Sequence, residues 1–397
     1  MTAVFLSPIY LILCLYILRR ILNWLGHCHK WLGKRSVSWT VTGIFAFFVL
    51  SLALVFFLPP SGFRRILKLI SNYWLGVLLY GFMMIAGADL IRLILKRISF
   101  PGKKLLFSRK GHVAVGFLCL AATVGISAWG IWNAGTIRTT RYSVQVAKEA
   151  GKRKDLKIVL VSDFHLGYSI GTWNMIQMVK KINEQNPDLV VVAGDIFDND
   201  YEALDDPKRL AQVLSGIDSR YGVYACYGNH DIEERVLAGF TFPKKGKKQS
   251  DPRMDEFLEQ AGIRLLHDEG VLIDQAFYLY GRADYEKPGR GIEIRKTPEE
   301  ITKEMDLTKP VILLDHQPKE LQELAEAGVD LDLCGHTHGG QIFPGNIITS
   351  LMWENFYGCA KKENMYNIVT SGVGIFGPYM RVGSKSEICV IDVEFTG

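Results

Sequence analysis

The chain has 397 residues, 48% of them hydrophobic, with 46 basic and 41 acidic residues and a net charge of +5. Residues 1–150 contain eighteen basic residues but only two acidic ones, Asp89 and Glu149, whereas residues 151–397 contain 28 basic and 39 acidic residues. A basic, apolar first part is typical of a membrane region, and an acidic second part disfavours nucleic-acid binding, which needs excess positive charge against phosphates.

Four apolar stretches predict membrane-spanning helices at the start of the chain. The last three each contain about twenty residues or more, enough to cross a hydrocarbon core of about 30 Å. The first is shorter, contains Pro8 and lacks the features of a removable signal peptide. The stretches are 3–18, 39–58, 69–91 and 113–134. We therefore expect an all-α transmembrane region of about four helices in residues 1–140, followed by a linker over 141–155.

The basic residues of the predicted loops indicate how these helices are oriented. The loops after the first and third helices carry twelve Lys and Arg residues, against six on the opposite side. Basic loops tend to remain in the cytoplasm, so both termini and the part after the fourth helix are expected outside it. Asp89 and Arg92 are spaced for an ion pair at the end of the third helix, with a transport or relay role as the alternative. The segment from Gly62 to Trp74 has the composition of an interfacial helix or of a plain connecting helix.

From Lys157 onward, short apolar runs alternate with amphipathic segments. Continuous hydrophobicity over a short run predicts a strand that is buried on both faces by flanking helices. The runs are Ile158–Ser162, Leu189–Ala193, Val223–Tyr227, Val311–Leu314 and Leu331–Cys334, and the helical segments are 173–186, 205–217, 253–262 and 319–327. The pairs 264–274 with 277–282 and 366–371 with 387–395 predict hairpins. Residues 156–397 are therefore expected to form an α/β domain.

Directly after each of the five apolar runs come residues that can bind a metal ion. These are Asp163, His165, Asp195, Asn229, His316, His336 and His338. Because the carboxyl ends of neighbouring strands meet at one edge of a sheet, we expect these side chains to converge. Their oxygen and imidazole donors suit Mn²⁺, Fe²⁺ or Zn²⁺. Seven ligands are too many for one ion, which favours two divalent ions that share a carboxylate, as in many enzymes that act on phosphorus.

The series Asp163-x-His165, Gly194-Asp195, Gly228-Asn229-His230-Asp231, His316 and Gly335-His336-x-His338 resembles the full signature of the calcineurin-like metallophosphoesterases. The resemblance covers about residues 156–397, and the run from His336 to Gln341 is similar to that of membrane-attached or exported bacterial members. It implies a four-layer α/β/β/α sandwich and a bacterial cell membrane, and the charge of the loops predicts a catalytic domain outside the cytoplasm. Some relatives of that subgroup cleave the pyrophosphate of a UDP-linked diacylated sugar.

The resemblance also implies a role for each residue of the signature. Asp163, His165 and His338 would hold the first metal ion, Asn229, His316 and His336 the second, and Asp195 would bridge both. A hydroxide between the ions, with its pKa lowered by their charge, would attack phosphorus. His230 would act as general acid or electrostatic stabiliser at the leaving oxygen, and Asp231 would orient the ring of His230.

Other polar residues near the signature have open or structural interpretations. Asp198 and Asn199 are expected to cap a loop, Asp315 is either a partner of His316 or a strand end, and Arg381 is more consistent with a structural role than with substrate contact. Lys244, Lys245, Lys247 and Lys248 form either a solvated loop or, with Phe240 and Phe242, a lid over lipid and phosphate. The seven cysteines show no paired spacing, so no disulfide framework is expected, and Cys334 is expected to end a buried strand.

The sequence therefore predicts a membrane-anchored dinuclear-metal hydrolase of phosphoester or pyrophosphate bonds. Membrane lipids and an amphiphilic, lipid-linked phosphorylated substrate are the expected partners, because four helices exceed what tethering requires. The alternatives are a phosphodiesterase for soluble nucleotides and a catalytically idle membrane scaffold module. The presence of every ligand of the signature favours an enzyme over the scaffold.

Overall fold

The computed structural model describes residues 2–59, 61–237, 240–242, 251–289 and 291–397. Lys244, Lys245, Lys247 and Lys248, for which the sequence suggests a solvated loop or a lid, lie outside the described residues. The chain divides into two compact units. One comprises Met1–Trp132, Val236–Phe242 and Gly377–Met380, and the other comprises Asn133–Arg235, Pro243–Phe376 and Arg381–Gly397.

Apolar helices form most of the first unit. They are α1 (Thr2–Cys28), α2 (Arg35–Phe57), α3 (Gly62–Lys96), α4 (Lys103–Leu106) and α5 (Arg109–Ala134). All except α4 are long and apolar enough to cross a membrane, which confirms the prediction of about four spans. The 35 residues of α3 correspond to a length of about 52 Å, more than the hydrocarbon core requires.

Two expectations for the helical unit require correction. The segment from Gly62 to Trp74 is the first part of α3 and not a separate helix, because Ser61 caps α3 at its start and no proline interrupts the pattern after it. The carboxylate of Asp89 pairs with Arg20 of α1 at 2.5 Å, whereas Arg92 lies 3.1 Å from the Nδ1 atom of His112. Arg20 of the neighbouring helix α1, and not Arg92, is therefore the cation that pairs with Asp89.

The second unit contains most of the strands and the short helices that cover them. In chain order the elements after α5 are β1 (Ile137–Val146), β2 (Asp155–Val161), α6 (Thr172–Asn183), β3 (Leu189–Ala193), α7 (Pro207–Leu214), β4 (Val223–Cys226), β5 (Arg235–Leu237), β6 (Phe240–Phe242), α8 (Pro252–Gln260), β7 (Ile263–Leu265), β8 (Glu269–Ile273), β9 (Phe277–Gly281), α9 (Pro298–Thr302), β10 (Val311–Leu314), α10 (Leu321–Glu326), β11 (Leu331–Cys334), α11 (Gly345–Met352), β12 (Gly358–Lys362), β13 (Met365–Val369) and β14 (Ser386–Phe395). A 3₁₀ helix, His338–Gly340, lies between β11 and α11.

Two six-stranded sheets form the centre of this unit. Their strand orders are β1-β14-β2-β3-β4-β7 and β12-β13-β11-β10-β9-β8. Both sheets contribute to one hydrophobic cluster, in which Leu160 and Val191 of the first sheet lie with Leu314 and Leu333 of the second. On its other face the second sheet packs against α9 and α10. Helices α6 and α8 contact the first sheet, and α7 contacts both of these helices. The fold is therefore the expected α/β/β/α sandwich.

The structure differs from the sequence expectation in three respects. Residues 137–146 were expected in the membrane region and the linker, but they form strand β1, which pairs in parallel with β14. The run 264–274 is divided between β7 in the first sheet and β8 in the second, and β8 forms the expected hairpin with β9. The hairpin expected from 366–371 and 387–395 is wrong, because β13 and β14 belong to different sheets.

Candidate metal centre

The residues of the signature lie just beyond the carboxyl ends of five strands. Strands β2, β3 and β4 of the first sheet precede Asp163, Asp195 and Asn229, and strands β10 and β11 of the second precede His316 and His336. Strands β3, β10 and β11 are buried along their whole length, which explains why their sequences are continuously apolar. Six of the seven predicted ligands are buried, and His336 is partly exposed.

The backbone at this site is held in an unusual conformation. The φ angles of Asp163, His165, Asp195, His336 and His338 lie between 47° and 70°, in the left-handed region. Residues with a Cβ atom rarely adopt this region, and such strain is found where surrounding contacts determine the conformation, often at functional sites. The chain thus turns sharply after the strands, and this turn brings the side chains toward one another.

Glycine is required at two of these turns. Gly194 has a φ of +76°, and a Cβ atom there would lie 2.6 Å from the Nδ1 atom of His316 and 2.8 Å from the backbone nitrogen of Gly228. A Cβ atom on Gly335 would lie 2.5 Å from the Oδ2 atom of Asp163. The absence of these two side chains allows the strand ends from both sheets to approach closely.

One group of donors consists of Asp163, His165 and His338. The Nε2 atoms of His165 and His338 are 3.1 Å apart, and the Nε2 atom of His338 lies 3.5 Å from Oδ1 of Asp163. The backbone nitrogen of His336 donates to the Asp163 carboxylate at 3.1 Å, and the Ser162 hydroxyl also donates to it. These bonds fix the carboxylate in place. Donor atoms about 2.1 Å from one ion lie about 3 Å from each other, so the group has the spacing of a coordination shell.

The second group consists of Asn229, His316 and His336. The Oδ1 atom of Asn229 lies 3.1 Å from Nε2 of His316 and 3.0 Å from Nδ1 of His336. The Nδ1–H of His316 donates to the carbonyl oxygen of Ala193 at 2.8 Å, which directs Nε2 toward the other donors. A hydrogen bond on the far nitrogen is the usual way in which proteins orient a metal-binding imidazole.

Asp195 lies between the two groups. Its Oδ2 atom is 3.1 Å from Nε2 of His316 in the second group and 3.7 Å from Nε2 of His165 in the first. Its Oδ1 atom accepts a hydrogen bond from the backbone nitrogen of His230 at 2.7 Å. One oxygen is therefore held by the protein, and the other is directed toward both groups.

The electrostatics of the cluster fit cations at its centre. Burial lowers the pKa of His336 to about 3, so this ring is neutral near pH 7 and has a lone pair for a metal ion. Burial also acts to lower the pKa of His316, but the Asp195 carboxylate outweighs it and holds that pKa well above the usual range. Two buried carboxylates and several converging nitrogen lone pairs repel one another unless positive charge lies between them. The donor set thus fits two divalent ions.

The environment of His230 differs from the expected one. The Nδ1 atom of His230 is hydrogen-bonded to the side-chain oxygen of Asn199, and the amide nitrogen of Asn199 donates to the Ile232 carbonyl oxygen at 2.9 Å. Asp231 accepts instead from the backbone nitrogens of Gly228 at 2.7 Å and Phe197 at 2.8 Å. The prediction that Asp231 orients the ring of His230 is therefore wrong. Asn199 orients the ring, and Asp231 supports the turn that carries it.

A third set of donors adjoins the first group. One ligand atom each from His165, Asp198 and His230 lies within 4.8 Å of the others. The Nδ1 atom of His165 is 3.7 Å from Oδ1 of Asp198. Burial lowers the pKa of His230 to about 4, so its ring is neutral near pH 7. Asp198, which the sequence suggested as a loop cap, therefore lies beside the His165 ring.

Three residues near the site were not found from the sequence. The ring of Phe376 lies 4.5 Å from that of His230 and 5.3 Å from that of His165, measured between ring centroids. Trp353 packs against His336 at 5.1 Å, and the ammonium group of Lys319 lies 4.1 Å from the centre of the Trp353 ring. None of the three belongs to a spaced motif, so only the folded structure relates them to the site.

The remaining predictions for single residues concern structural roles. Asp315 is not the partner of His316, because its buried carboxylate pairs with Arg282 at 3.3 Å and Arg295 at 3.0 Å. Arg381 is fully buried and donates to the carbonyl oxygens of Ser371 at 2.6 Å and Gly374 at 2.7 Å, which confirms a structural role. All seven cysteines are free, and Cys334 ends the buried strand β11, as expected.

Comparison with known proteins relates the chain to one family. The profile of the calcineurin-like phosphoesterases matches residues 156–340. A transmembrane protein with a metallophosphoesterase domain from Danio rerio is 31% identical over 81% of this chain and 72% of its own length. An uncharacterized metallophosphoesterase from Aquifex aeolicus is 33% identical over 66% of this chain and 93% of its own length. The UDP-2,3-diacylglucosamine pyrophosphatase LpxG of Chlamydia trachomatis is 24% identical over 55% of this chain and 72% of its own length.

Proposed function

The chain belongs to the calcineurin-like phosphoesterase family, and on that premise we propose that it is a membrane-anchored hydrolase with two divalent metal ions. The substrate is an amphiphilic, lipid-linked compound in which a phosphoester or pyrophosphate bond is cleaved. The observation that carries the proposal is the position of Asp195, whose Oδ2 atom lies 3.1 Å from His316 and 3.7 Å from His165, between two groups of buried donors.

In this proposal each group of donors holds one ion. Asp163, His165 and His338 would hold the first, Asn229, His316 and His336 would hold the second, and Asp195 would serve as a ligand to both. Mn²⁺, Fe²⁺ and Zn²⁺ all accept this set of oxygen and nitrogen donors. Two such ions, when bound, would supply a water of lowered pKa as the nucleophile and positive charge opposite the phosphoryl oxygens. Because Asp163 and Asp195 are the only carboxylates in the proposed ligand set, net positive charge remains for an anionic phosphate.

His230 is proposed to handle the proton of the leaving group. Hydrolysis joins a water oxygen to phosphorus and breaks the bond to the leaving oxygen, which then requires a proton. Asn199 binds Nδ1 of His230 and thereby fixes the ring. Burial keeps the ring neutral near pH 7, but a bound phosphate anion raises the pKa of an adjacent imidazole. Substrate binding can therefore charge the ring, which then donates to the leaving oxygen.

An amphiphilic substrate is supported by three observations. The described part of the chain includes four helices that are long and apolar enough to span a membrane. The relative from Chlamydia trachomatis is by name a pyrophosphatase that acts on a UDP-linked diacyl sugar. Lys319 and Trp353 place a cation and an aromatic surface beside His336, the partly exposed member of the donor set. The acidic second part of the chain disfavours nucleic acid as substrate.

The proposed location is a cell membrane, with the catalytic domain outside the cytoplasm. The connections from α1 to α2 and from α3 to α5, together with the adjoining parts of these helices, carry twelve basic residues, and the opposite side carries six. Because basic loops tend to stay in the cytoplasm, the chain leaves the membrane after α5 on the other side.

A substrate screen with the purified full-length protein in detergent tests the proposed function. The panel contains UDP-linked acyl sugars, isoprenoid pyrophosphates, glycerophospholipids and soluble nucleotides, each with Mn²⁺ or Zn²⁺ added back after chelation. We expect metal-dependent release of phosphate or a nucleotide from at least one lipid-linked compound. Activity on soluble nucleotides alone would remove the lipid proposal, and metal binding without activity on any compound would favour an idle scaffold module.

A further inference from the structure

Helix α11 presents an unusual surface for a domain that faces water. Its eight residues, Gly345–Met352, include no charged side chain. Four large apolar side chains are exposed, namely Ile347 at 51%, Ile348 at 57%, Leu351 at 84% and Met352 at 68%. Positions 347 and 351, like positions 348 and 352, are about one helical turn apart, so all four share one face. A contiguous exposed patch of this kind is typical of a surface that binds a partner or a membrane.

The start of α11 is joined by hydrogen bonds to the chain segment 381–384. The backbone nitrogen of Phe343 donates to the carbonyl oxygen of Val382 at 2.7 Å, and the Ser384 hydroxyl donates to the carbonyl oxygen of Gln341 at 3.0 Å. The backbone nitrogen of Gly345 then donates to the carbonyl oxygen of Ile342 at 2.6 Å. The helix is therefore fixed to this segment through the residues that precede it.

The same segment is fixed to the last turn of α5. The buried side-chain amide of Asn133 donates to the carbonyl oxygens of Arg381 at 3.0 Å and Ser384 at 2.8 Å. The hydroxyl of Ser386 donates to the carbonyl oxygen of Ala134, the last residue of α5, at 2.8 Å. Only two residues separate α5 from β1. The apolar helix α11 is thus linked, through one buried segment, to the point where the chain leaves the last candidate membrane span.

Two tryptophans near the end of α5 indicate where this helix reaches the membrane–water interface. Trp129 and Trp132 lie within the last two turns of the helix and expose 47% and 59% of their surface. Tryptophan is enriched where a spanning helix reaches the membrane–water interface. Asn133, whose side chain donates to the segment 381–384, directly follows Trp132 in the chain. The segment to which α11 is hydrogen-bonded is therefore held by the residue next to this tryptophan.

We propose that the exposed face of α11 binds the interfacial region of the bilayer that α5 spans. An uncharged helix with isoleucine, leucine and methionine on one face can bury that face among the acyl chains close to the headgroups. Trp353, directly after α11, packs against His336, so membrane contact by α11 also holds the metal-binding edge of the sheets close to the lipid surface. The inference goes beyond the proposed function and does not depend on hydrolysis.

Fluorescence quenching in liposomes tests this contact without measuring turnover. A bimane label is attached to a Leu351→Cys variant of the full-length protein in which Cys28 and Cys359 are replaced by serine. The protein is reconstituted with phosphatidylcholine whose acyl chains carry bromine in increasing fractions. We expect fluorescence at position 351 to fall in proportion to the brominated fraction and to resist quenching by aqueous iodide.

Leu307 provides a matched control. It is an exposed leucine just before β10, at the opposite end of that strand from His316. A label introduced by Leu307→Cys is expected to respond to iodide and not to brominated lipid. An Ile348→Cys label repeats the measurement on the proposed face if the Leu351 variant does not fold.

Three outcomes would overturn the proposal. Equal quenching by iodide at positions 351 and 307 would show that the face is in water. Protection from both quenchers would show that protein, such as a second copy of the chain, covers it. Quenching that saturates at a small fraction of brominated lipid would show one tightly bound lipid instead of a bilayer surface. Each of these results would leave the hydrolase assignment unchanged, because none involves the metal centre.

Discussion

The Nε2 atom of His316 lies 3.1 Å from the Oδ2 atom of Asp195, although the two residues follow strands of different sheets. The contact joins the two halves of the sandwich at the point where both sheets end. Because the Asp195 carboxylate lies between two groups of donors, its removal should affect both groups.

We expect Asp195→Ala to lower the turnover number on a chromogenic phosphodiester on the order of a thousandfold, because it removes the donor between both groups. Metal content, measured by mass spectrometry of the purified protein, should fall for both ions. Asp392→Asn, an exposed change on β14, serves as the control and should change neither quantity. Normal hydrolysis by the Asp195 variant would contradict the dinuclear mechanism.

Replacement of His230 should impair proton transfer to the leaving group without affecting metal binding. His230→Gln is expected to lower the turnover number roughly a hundredfold or more while the metal content stays unchanged. The loss should be larger for an alkyl leaving group than for nitrophenolate, because the alkoxide needs a proton more. Asn199→Leu should give a smaller loss with the same dependence on the leaving group, since it frees the ring that Asn199 holds. Loss of metal from the His230 variant would instead indicate that His230 is a ligand.

The buried ion pairs behind the site should affect stability and not metal binding. Asp315 is fully buried between Arg282 and Arg295. Removal of one partner from a buried pair costs about 3–5 kcal/mol, so Asp315→Ala should lower the free energy of unfolding by that amount. The exposed pair of Lys362 with Glu354 offers a control, because Glu354→Gln should leave the free energy of unfolding nearly unchanged. Denaturant titration of both variants measures the difference.

Glu387 should make the domain sensitive to acid. Burial opposes its charge, but Thr140, the backbone nitrogen of Ser371 and Lys385 outweigh burial and lower the pKa of Glu387 below its usual 4.5. A group with a lowered pKa contributes stability that is complete above the unfolded-state pKa and is lost as the pH falls through the folded-state pKa. The wild-type protein should therefore lose this contribution only below about pH 4.5.

Glu387→Gln should remove the contribution of this carboxylate at neutral pH. We expect a loss of about 1–3 kcal/mol near pH 7 and a smaller change of stability on acidification than in the wild type. Glu394→Gln, on the exposed side of the same strand, is the matched control. Thermal unfolding of the detergent-solubilised protein at several pH values gives the comparison. An unchanged acid transition in the Glu387 variant would exclude this residue as its source.

Two native cysteines can report the orientation in the membrane. Cys359 is exposed on β12, and Cys28 is the last residue of α1, before the basic loop. If the catalytic domain lies outside the cytoplasm, a membrane-impermeant maleimide should label Cys359 in intact cells and should label Cys28 only after lysis. Cys359→Ser identifies the labelled site. Labelling of Cys28 alone in intact cells would reverse the proposed orientation.

The convergence of the site could be predicted because each metal-binding residue follows an apolar run. Such runs are buried parallel strands, and parallel strands in one sheet end at the same edge. Strands β3, β10 and β11 agree with their predicted bounds because glycine or a polar residue follows each run directly. The partners within the site were harder to predict. Asp231 is adjacent to His230 in sequence, yet Asn199 reaches the ring because a turn after β3 brings it there.

Other parts of the fold and the site could not be predicted, because they depend on contacts between residues that are far apart in the sequence. Strand β1 alternates between buried and exposed residues and includes Arg138 and Arg141, so it resembles a polar linker until β14 pairs with it. The run 264–274 is continuous in sequence, but the chain crosses from one sheet to the other within it. Phe376 and Trp353 lie far from the signature in sequence, and only the packing of loops against the rings of His230 and His336 relates them to the site.

The pairing of β1 with β14 has a consequence for biosynthesis. Gln145 and Glu394 face each other across this pair although they are 249 positions apart. At roughly 5–20 residues per second, a ribosome needs on the order of ten to fifty seconds to make the chain between them. During that interval the first strand after the membrane has no parallel neighbour, and its unpaired backbone groups can bind other extended chains. A chaperone that shields this segment during translation should therefore raise the yield of folded protein.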